Sequence, residues 1–205
     1  MQEWIEGWLK KNDIDYSLND NTQMPPDFYL NPDNKTEGLM EIKAFNYKGS
    51  PGFDIADFQM YEREIAQKPW MLNVTYLVFG YDMAKDGTVT IKKVWQKKVW
   101  EMSRPMKSGK SKTIWPINLQ IKQGTVHKMR PAKWYGKQKA FSIYDCLEDF
   151  LSAMEETMYK NKDTRDDAPD WLQKVLDNYE KHYGVRLQIP RWNDIASKYV
   201  KITKN

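Results

Sequence analysis

In the opening residues "QEWIEGWLKKN", Trp4, Ile5, Trp8 and Leu9 fall at i, i+1, i+4 and i+5, one face of a short helix. The period then changes. Residues 27 to 30 and 39 to 45 read as two strands, joined by "NPDNKTEG", a run of turn formers. After the loop "YKGSPG", the stretch "FDIADFQMYEREIAQ" returns to helical spacing through Ile55, Phe58, Tyr61, Glu62 and Ile65. Asp54 is its expected N-cap. "MLNVTYLVFGYDM" reads as a buried strand, and the Asp86-Gly87 turn carries it into "TVTIKKVW" as a hairpin.

"QKKVWEMS" is expected as a short helix and "SRPMKSGKSKTIWP" as a polar basic loop. "INLQIK" and "TVHKMR" form a further hairpin across Gln123-Gly124. From Ser142 the spacing is helical. Leu147, Phe150, Leu151, Met154 and Met158 form one stripe, and Trp171, Leu172, Val175 and Tyr179 a second, with Pro169 near its start. "RWNDIASKYVK" is a third helix. The order predicts an α/β (α+β) fold with a mixed central sheet flanked by helices, extra hairpins and C-terminal helices. No internal repeat is visible, and the polar seam "KNKDTRDD" is too short to set a boundary, so one domain over residues 1–205 is expected.

Composition narrows the setting. At 205 residues a sizeable core can be buried. The single cysteine, Cys146, excludes an internal disulfide and points to a reducing compartment. The N-terminus lacks the pattern of a signal peptide, and no stretch approaches eighteen apolar residues, so a cytoplasmic protein without a membrane partner is expected. Charge changes the picture more. Residues 85 to 139 hold 15 Lys and Arg against only Asp86 and Glu101, while the whole chain is just +4. The same block carries Trp95, Trp100, Trp115, Trp134 and Tyr135, a mixture suited to phosphates and bases. By charge alone a solvated, lysine-rich β-meander fits as well.

The chemistry concentrates in "PPDFYLNPDNKTEGLMEIKAF". Strand side chains alternate between faces, so Glu41 and Lys43 point one way and Ile42 the other. If the two strands pair, Asp27 can sit beside Glu41. Two close carboxylates repel in a low dielectric, and a hard divalent cation relieves them. Asp27, Glu41 and the main-chain carbonyl of Ile42 are therefore candidate metal ligands, and Lys43 is placed to assist an attacking water or offset charge on a phosphate. The set suits phosphodiester hydrolysis. The plain alternative is a surface hairpin with an exposed Glu41–Lys43 ion pair.

Pro26-Asp27, thirteen residues and then Glu41-Ile42-Lys43 resemble the PD-(D/E)XK motif of restriction-type nucleases, over a catalytic core of about residues 1 to 84. "MEIKAFNYKGSPGFDIADF", "VTYLVFGYDM", "VWQKKVWEM" and "MRPAKWY" further resemble the NgoBV group of type II restriction endonucleases. The resemblance implies a restriction-endonuclease-like core and Mg²⁺-dependent, sequence-specific cleavage of double-stranded DNA at a GGNNCC-type palindrome by a homodimer. It also implies a cognate DNA methyltransferase as a functional partner. Such enzymes often add an acid from the N-terminal helix, where Glu6 is a better candidate than Glu3.

Candidate DNA contacts are Lys48 and, in the basic region, Arg104, Lys107, Lys110, Lys112, Lys128, Arg130 and Lys133, with base and phosphate contacts unsorted. Residues 140–205 read as a helical part that caps the core or builds a dimer interface. Asp54, Asp57, Gln59 and Glu62 read as cap or surface positions. "KSGKSK" lacks the earlier Gly of a P-loop, since Arg104 stands there, and His127 and His182 have no partners at zinc-ligand spacing. Two other readings stay open: a DNA repair or junction-resolving nuclease of the same superfamily, and a non-catalytic nucleic-acid-binding domain.

Overall fold

The computed structural model describes residues 1–21, 24–109, 112–136 and 140–201. In chain order the elements are α1 (Gln2–Lys11), β1 (Ser17–Leu18), β2 (Phe28–Tyr29), β3 (Leu39–Asn46), β4 (Ala56–Asp57) and α2 (Phe58–Gln67). They continue as β5 (Thr75–Met83), β6 (Val89–Lys97), β7 (Met106–Lys107), β8 (Ile114–Trp115), β9 (Leu119–Lys122) and β10 (Thr125–Met129). The helices α3 (Leu147–Lys160), α4 (Ala168–Tyr183) and α5 (Trp192–Tyr199) follow. The chain forms two compact units, Met1–Phe53 with Trp70–Val99, and Asp54–Pro69 with Trp100–Asn205.

The first unit is a five-stranded mixed sheet of order β1-β2-β3-β5-β6. β3 and β5 are parallel, from Met40 opposite Thr75 to Asn46 opposite Tyr81, and the other neighbours are antiparallel. Parallel neighbours need a crossover, and the one between β3 and β5 runs through β4 and α2 of the second unit. Alternation along the strands gives the sheet two distinct faces. Ile5 and Leu9 of α1 pack with Phe28, Ile42 and Phe79 on one of them. Trp4 and Trp8, expected on the buried stripe, are 60% and 47% exposed. Only Ile5 and Leu9 of α1 are buried, and the Trp4 ring sits edge-on to Phe79 at 6.2 Å.

The expected helix over "QKKVWEMS" does not form. β6 extends to Lys97 along its ladder with β5, and one 3₁₀ turn, Trp100–Met102, follows. The strand expected from Met71 begins at Thr75, after a 3₁₀ segment that opens at Pro69.

The second unit holds a three-stranded sheet, β4-β10-β9, the two-stranded β7-β8, and four helices. Ala56 and Asp57 pair with Met129 and Lys128, which keeps the chain extended until α2 begins at Phe58. The N-cap is therefore Asp57, whose carboxylate accepts from the Met60 N–H at 3.1 Å, and Asp54 instead pairs with Arg130 at 2.8 Å. The region expected as a basic loop contains a short hairpin, Met106 opposite Trp115 and Lys107 opposite Ile114. α4 docks on α2 through Trp171 and Asn178, which donate to the carbonyls of Glu62 (2.9 Å) and Ala66 (2.7 Å). The stripe Leu147, Phe150, Leu151, Met154 and Met158 of α3 is buried as expected. Among the described residues, no helix is long and apolar enough to cross a membrane.

Candidate active site

The register of β2 against β3, Phe28 opposite Met40 and Tyr29 opposite Leu39, sets Asp27 opposite Glu41 when continued by one residue. The Asp27 carboxylate turns along the strand and accepts the Ile42 N–H at 2.7 Å. Glu41 is 5% exposed, and its carboxylate meets the Lys43 ammonium at 2.7 Å. Ile42 and Phe28 belong to the core beneath α1, so Asp27, Glu41 and Lys43 share the opposite face. Three groups separated in sequence by a turn-rich connection thus meet where β2 begins, beside the first half of β3.

Burial dominates the electrostatics. It pushes the Glu41 carboxyl up to about 7, with the Lys43 ammonium pulling it down and the Asp27 carboxylate adding to the rise. Asp27 is also raised by burial, against the Ile42 N–H and the Lys43 charge, which favour its ionised form. A pair held this way gains from any additional positive charge.

The same face continues into aromatic residues, of which the sequence marked only Trp95, and that for a nucleic-acid surface. Phe45 stacks on Trp95 with centroids 5.7 Å apart, and Tyr47 tilts against the same ring at 6.0 Å. Gly80, opposite Phe45, makes room for them: a Cβ there would lie 2.9 Å from Tyr47 Cδ2 and 3.0 Å from Trp95 Cζ3. The signal was present in the alternation Glu41, Lys43, Phe45 and in a glycine inside a buried strand.

Glu6 sits elsewhere. Its helix covers the face bearing Ile42 and Phe79, and its carboxylate accepts from Lys10 (2.9 Å) and the Tyr16 hydroxyl (2.8 Å), which hold it below the usual range. Glu62, expected at the surface, is only 3% exposed. Burial raises its carboxyl to about 7, opposed by Arg63 at 3.4 Å, because α4 covers this side of α2.

Of the candidate DNA contacts, Lys48 pairs with Asp82 (2.9 Å), Lys128 with Asp57 (3.6 Å) and Arg130 with Asp54 (2.8 Å). Lys107 and Lys112 are exposed, Arg104 is half-buried, and Lys133 lies 5.3 Å from the centre of the Tyr135 ring. Lys110 lies outside the described residues. Cys146 is a half-buried N-cap residue of α3.

A mixed α/β fold of this kind belongs here to a restriction endonuclease, a nuclease hydrolase acting on DNA, as its likeness to known proteins shows. The fold matches a solved NlaIV restriction endonuclease with a TM-score of 0.92 and 53% identity, over 98% of this chain and 79% of that one. The chain belongs to the NgoBV restriction endonuclease family, whose profile matches residues 1–199. It is 52% identical over 202 residues to the type II restriction enzyme NlaIV of Neisseria lactamica, spanning 98% of this chain and 81% of that protein. The type II restriction enzyme NgoBV of Neisseria gonorrhoeae is 46% identical over 123 residues, 60% of this chain and 66% of that protein. The chain is a type II restriction endonuclease.

Proposed function

We propose that Asp27, Glu41 and the Ile42 carbonyl hold Mg²⁺ and that Lys43 assists the attacking water in a PD-(D/E)XK-type hydrolysis of double-stranded DNA. The observation that carries this reading is the register that sets Asp27 opposite a buried Glu41. The donor set fits the ion: two hard carboxylates, one of them raised to about 7 by burial, lack a full counter-charge in Lys43 alone. Among the described residues no group of three His, Cys, Asp or Glu side chains could hold a metal. The third protein ligand is therefore a main-chain oxygen. The amide and carbonyl of one strand residue leave the chain on the same side, so the Ile42 carbonyl shares the edge where its N–H meets Asp27. When bound, the cation would supply positive charge to offset the negative charge developing on the phosphate.

The chain's own groups do the rest. Asp27 and Glu41 fix the oxygen ligands, and their hydrogen bonds to Ile42 and Lys43 hold those oxygens in place. The Lys43 ammonium orients the water that forms the new P–O bond as the bond to the leaving sugar oxygen breaks. Glu6 keeps its role in α1, tied to Tyr16 and Lys10. Arg104, Lys107, Lys112 and Lys133 engage DNA, within a segment of 15 Lys and Arg against two acids. Lys48, Lys128 and Arg130 reach DNA by exchanging their carboxylate partners for phosphate. A homodimer matches a two-fold GGNNCC-type site. The cellular setting is cytoplasmic, with a methyltransferase protecting the host's own sites.

The test is cleavage of plasmid DNA with Mg²⁺ or chelator. Discrete, metal-dependent fragments are expected, and Asp27→Asn, Glu41→Gln and Lys43→Ala should each lower single-turnover cleavage by at least about 100-fold while DNA binding in Ca²⁺ persists. Normal cutting by any of the three removes that residue from the mechanism. Structure-selective nicking in place of discrete fragments would favour a junction-resolving enzyme.

A further inference from the structure

Within the second unit, the hairpins β7–β8 and β9–β10 border a cleft of about 590 Å³. Its apolar lining includes Trp115, Leu119 and Ile121, and the exposed side chains of Lys107 and Gln123 stand at its rim. We propose that this cleft receives a nucleobase of the DNA substrate, with Lys107 and Gln123 bonding the base edge and Trp115 lying against it. The inference rests on the reading that the basic segment binds DNA.

Three observations carry it. The first is rigidity. Lys122 pairs with Thr125, and the two residues between them, Gln123 (φ 51°) and Gly124 (φ 80°), both lie in the left-handed region that closes a two-residue hairpin of type I′. Gln123 is thus presented from a fixed turn. The Leu119 N–H donates to Met106 Sδ at 3.2 Å, which ties one hairpin to the other.

The second is chemistry. A phosphate site needs several convergent N–H groups or cations. Here Lys107 is the one cation among the described residues, and with Gln123 and Ser108 it shares the lining with an indole and two aliphatic side chains, an environment suited to a flat heterocycle with hydrogen-bonding edges. Lysine donates to guanine O6 and N7, and the glutamine amide offers both a donor and an acceptor. The third is scale and charge. A cleft of about 590 Å³ has room for a base turned out of the stack, and the surrounding segment carries the positive charge that draws it to a polyanion.

The test compares wild-type protein with Gln123→Ala, Lys107→Ala and Trp115→Phe. Cleavage is measured on the wild-type site and on duplexes with every single-base-pair change in it, and binding is followed in Ca²⁺ across a salt series. Melting curves check that each variant folds. Gln123→Ala is expected to relax discrimination at one base-pair position by about 10- to 100-fold, with the salt slope of binding unchanged. Trp115→Phe should keep discrimination closer to wild type. Uniform weakening on every sequence with a shallower salt slope would make these phosphate contacts and overturn the proposal, and so would unchanged discrimination at every position. A combined Lys107→Ala, Lys112→Ala, Lys133→Ala variant separates the two readings. Wild-type affinity and salt slope in it sink the assignment of the basic segment to DNA. Weakened affinity beside intact discrimination in Gln123→Ala and Lys107→Ala sinks only the cleft.

Discussion

Glu41→Gln should stabilise the metal-free protein at neutral and alkaline pH while abolishing cleavage. The folded protein raises the Glu41 carboxyl from 4.5 to about 7, which at about 1.4 kcal/mol per pH unit is a penalty of about 3 kcal/mol for the charged form. The sign follows from proton linkage: between these values the folded state binds a proton that the unfolded state has released, so wild-type stability falls as pH rises through the interval. Below about pH 4.5 both forms of the wild type are neutral, and the variant gains nothing. Above about pH 7 the full difference applies. Gln is nearly isosteric with Glu and keeps an amide oxygen for Lys43, but removes the charge of its 2.7 Å partner, and the Lys43 side chain is 21% exposed and can turn to water. Allowing about 1 kcal/mol for that loss leaves a net gain of about 2 kcal/mol, or roughly 4–8 °C in Tm for a domain of this size. The assay is thermal or urea unfolding with chelator at pH 5, 6, 7 and 8. A variant less stable than wild type at pH 8, or a difference that does not change with pH, would refute the reasoning. Adding Mg²⁺ at pH 8 should then stabilise the wild type more than the variant, by mass action on the folded state.

Three other outcomes follow from geometry elsewhere in the fold. Gly80→Ala places a Cβ 2.9 Å from Tyr47 Cδ2 and 3.0 Å from Trp95 Cζ3, so it should cost about 1–3 kcal/mol in urea unfolding and slow cleavage by shifting the end of β3. Tyr199→Phe removes the hydroxyl that donates to the buried Asp149 carboxylate at 2.6 Å, and should cost about 1.5–3 kcal/mol with cleavage per folded molecule unchanged. Glu62→Gln should raise stability above pH 7 and leave it unchanged below about pH 4.5, because burial lifts that carboxyl to about 7; equal effects at both ends would contradict it.

The site was legible in sequence because it is local. Alternation along "MEIKAF" sorts Glu41 and Lys43 from Ile42, and a turn-rich connection brings Asp27 back beside them. What stayed hidden depends on partners far along the chain. Asp54 and Asp57 are equally good caps by type, and the choice falls to Asp57 only because Ala56–Asp57 pairs with residues 128 and 129. The pairing of Met106 with Trp115 joins two residues across a polar stretch with no alternating apolar pattern, so it read as loop. Trp4 and Trp8 satisfy helical spacing, yet spacing alone does not say how wide a stripe the sheet will cover. The interleaving of the two units follows from the parallel pairing of β3 with β5, and no local pattern encodes which strands become neighbours.

Glu41 and Glu62 mark that limit from one direction. Each lies within a periodic apolar run, each is nearly inaccessible, and burial lifts each carboxyl to about 7. Residue type and exposure therefore do not separate a catalytic acid from a structural one. The surroundings do. Glu41 faces a second carboxylate and a lysine on the middle strand of its sheet, beside the start of β2. Glu62 is closed over by α4, with Trp171 bonded to its carbonyl and Arg63 beside its side chain. A cation bound at the first would relieve repulsion between carboxylates set opposite one another by strand pairing, whereas Glu62, though Asp167 also raises it, lies beneath a packed helix. Under the proposed mechanism the same elevated carboxyl is thus a binding determinant at one position and a cost of packing at the other.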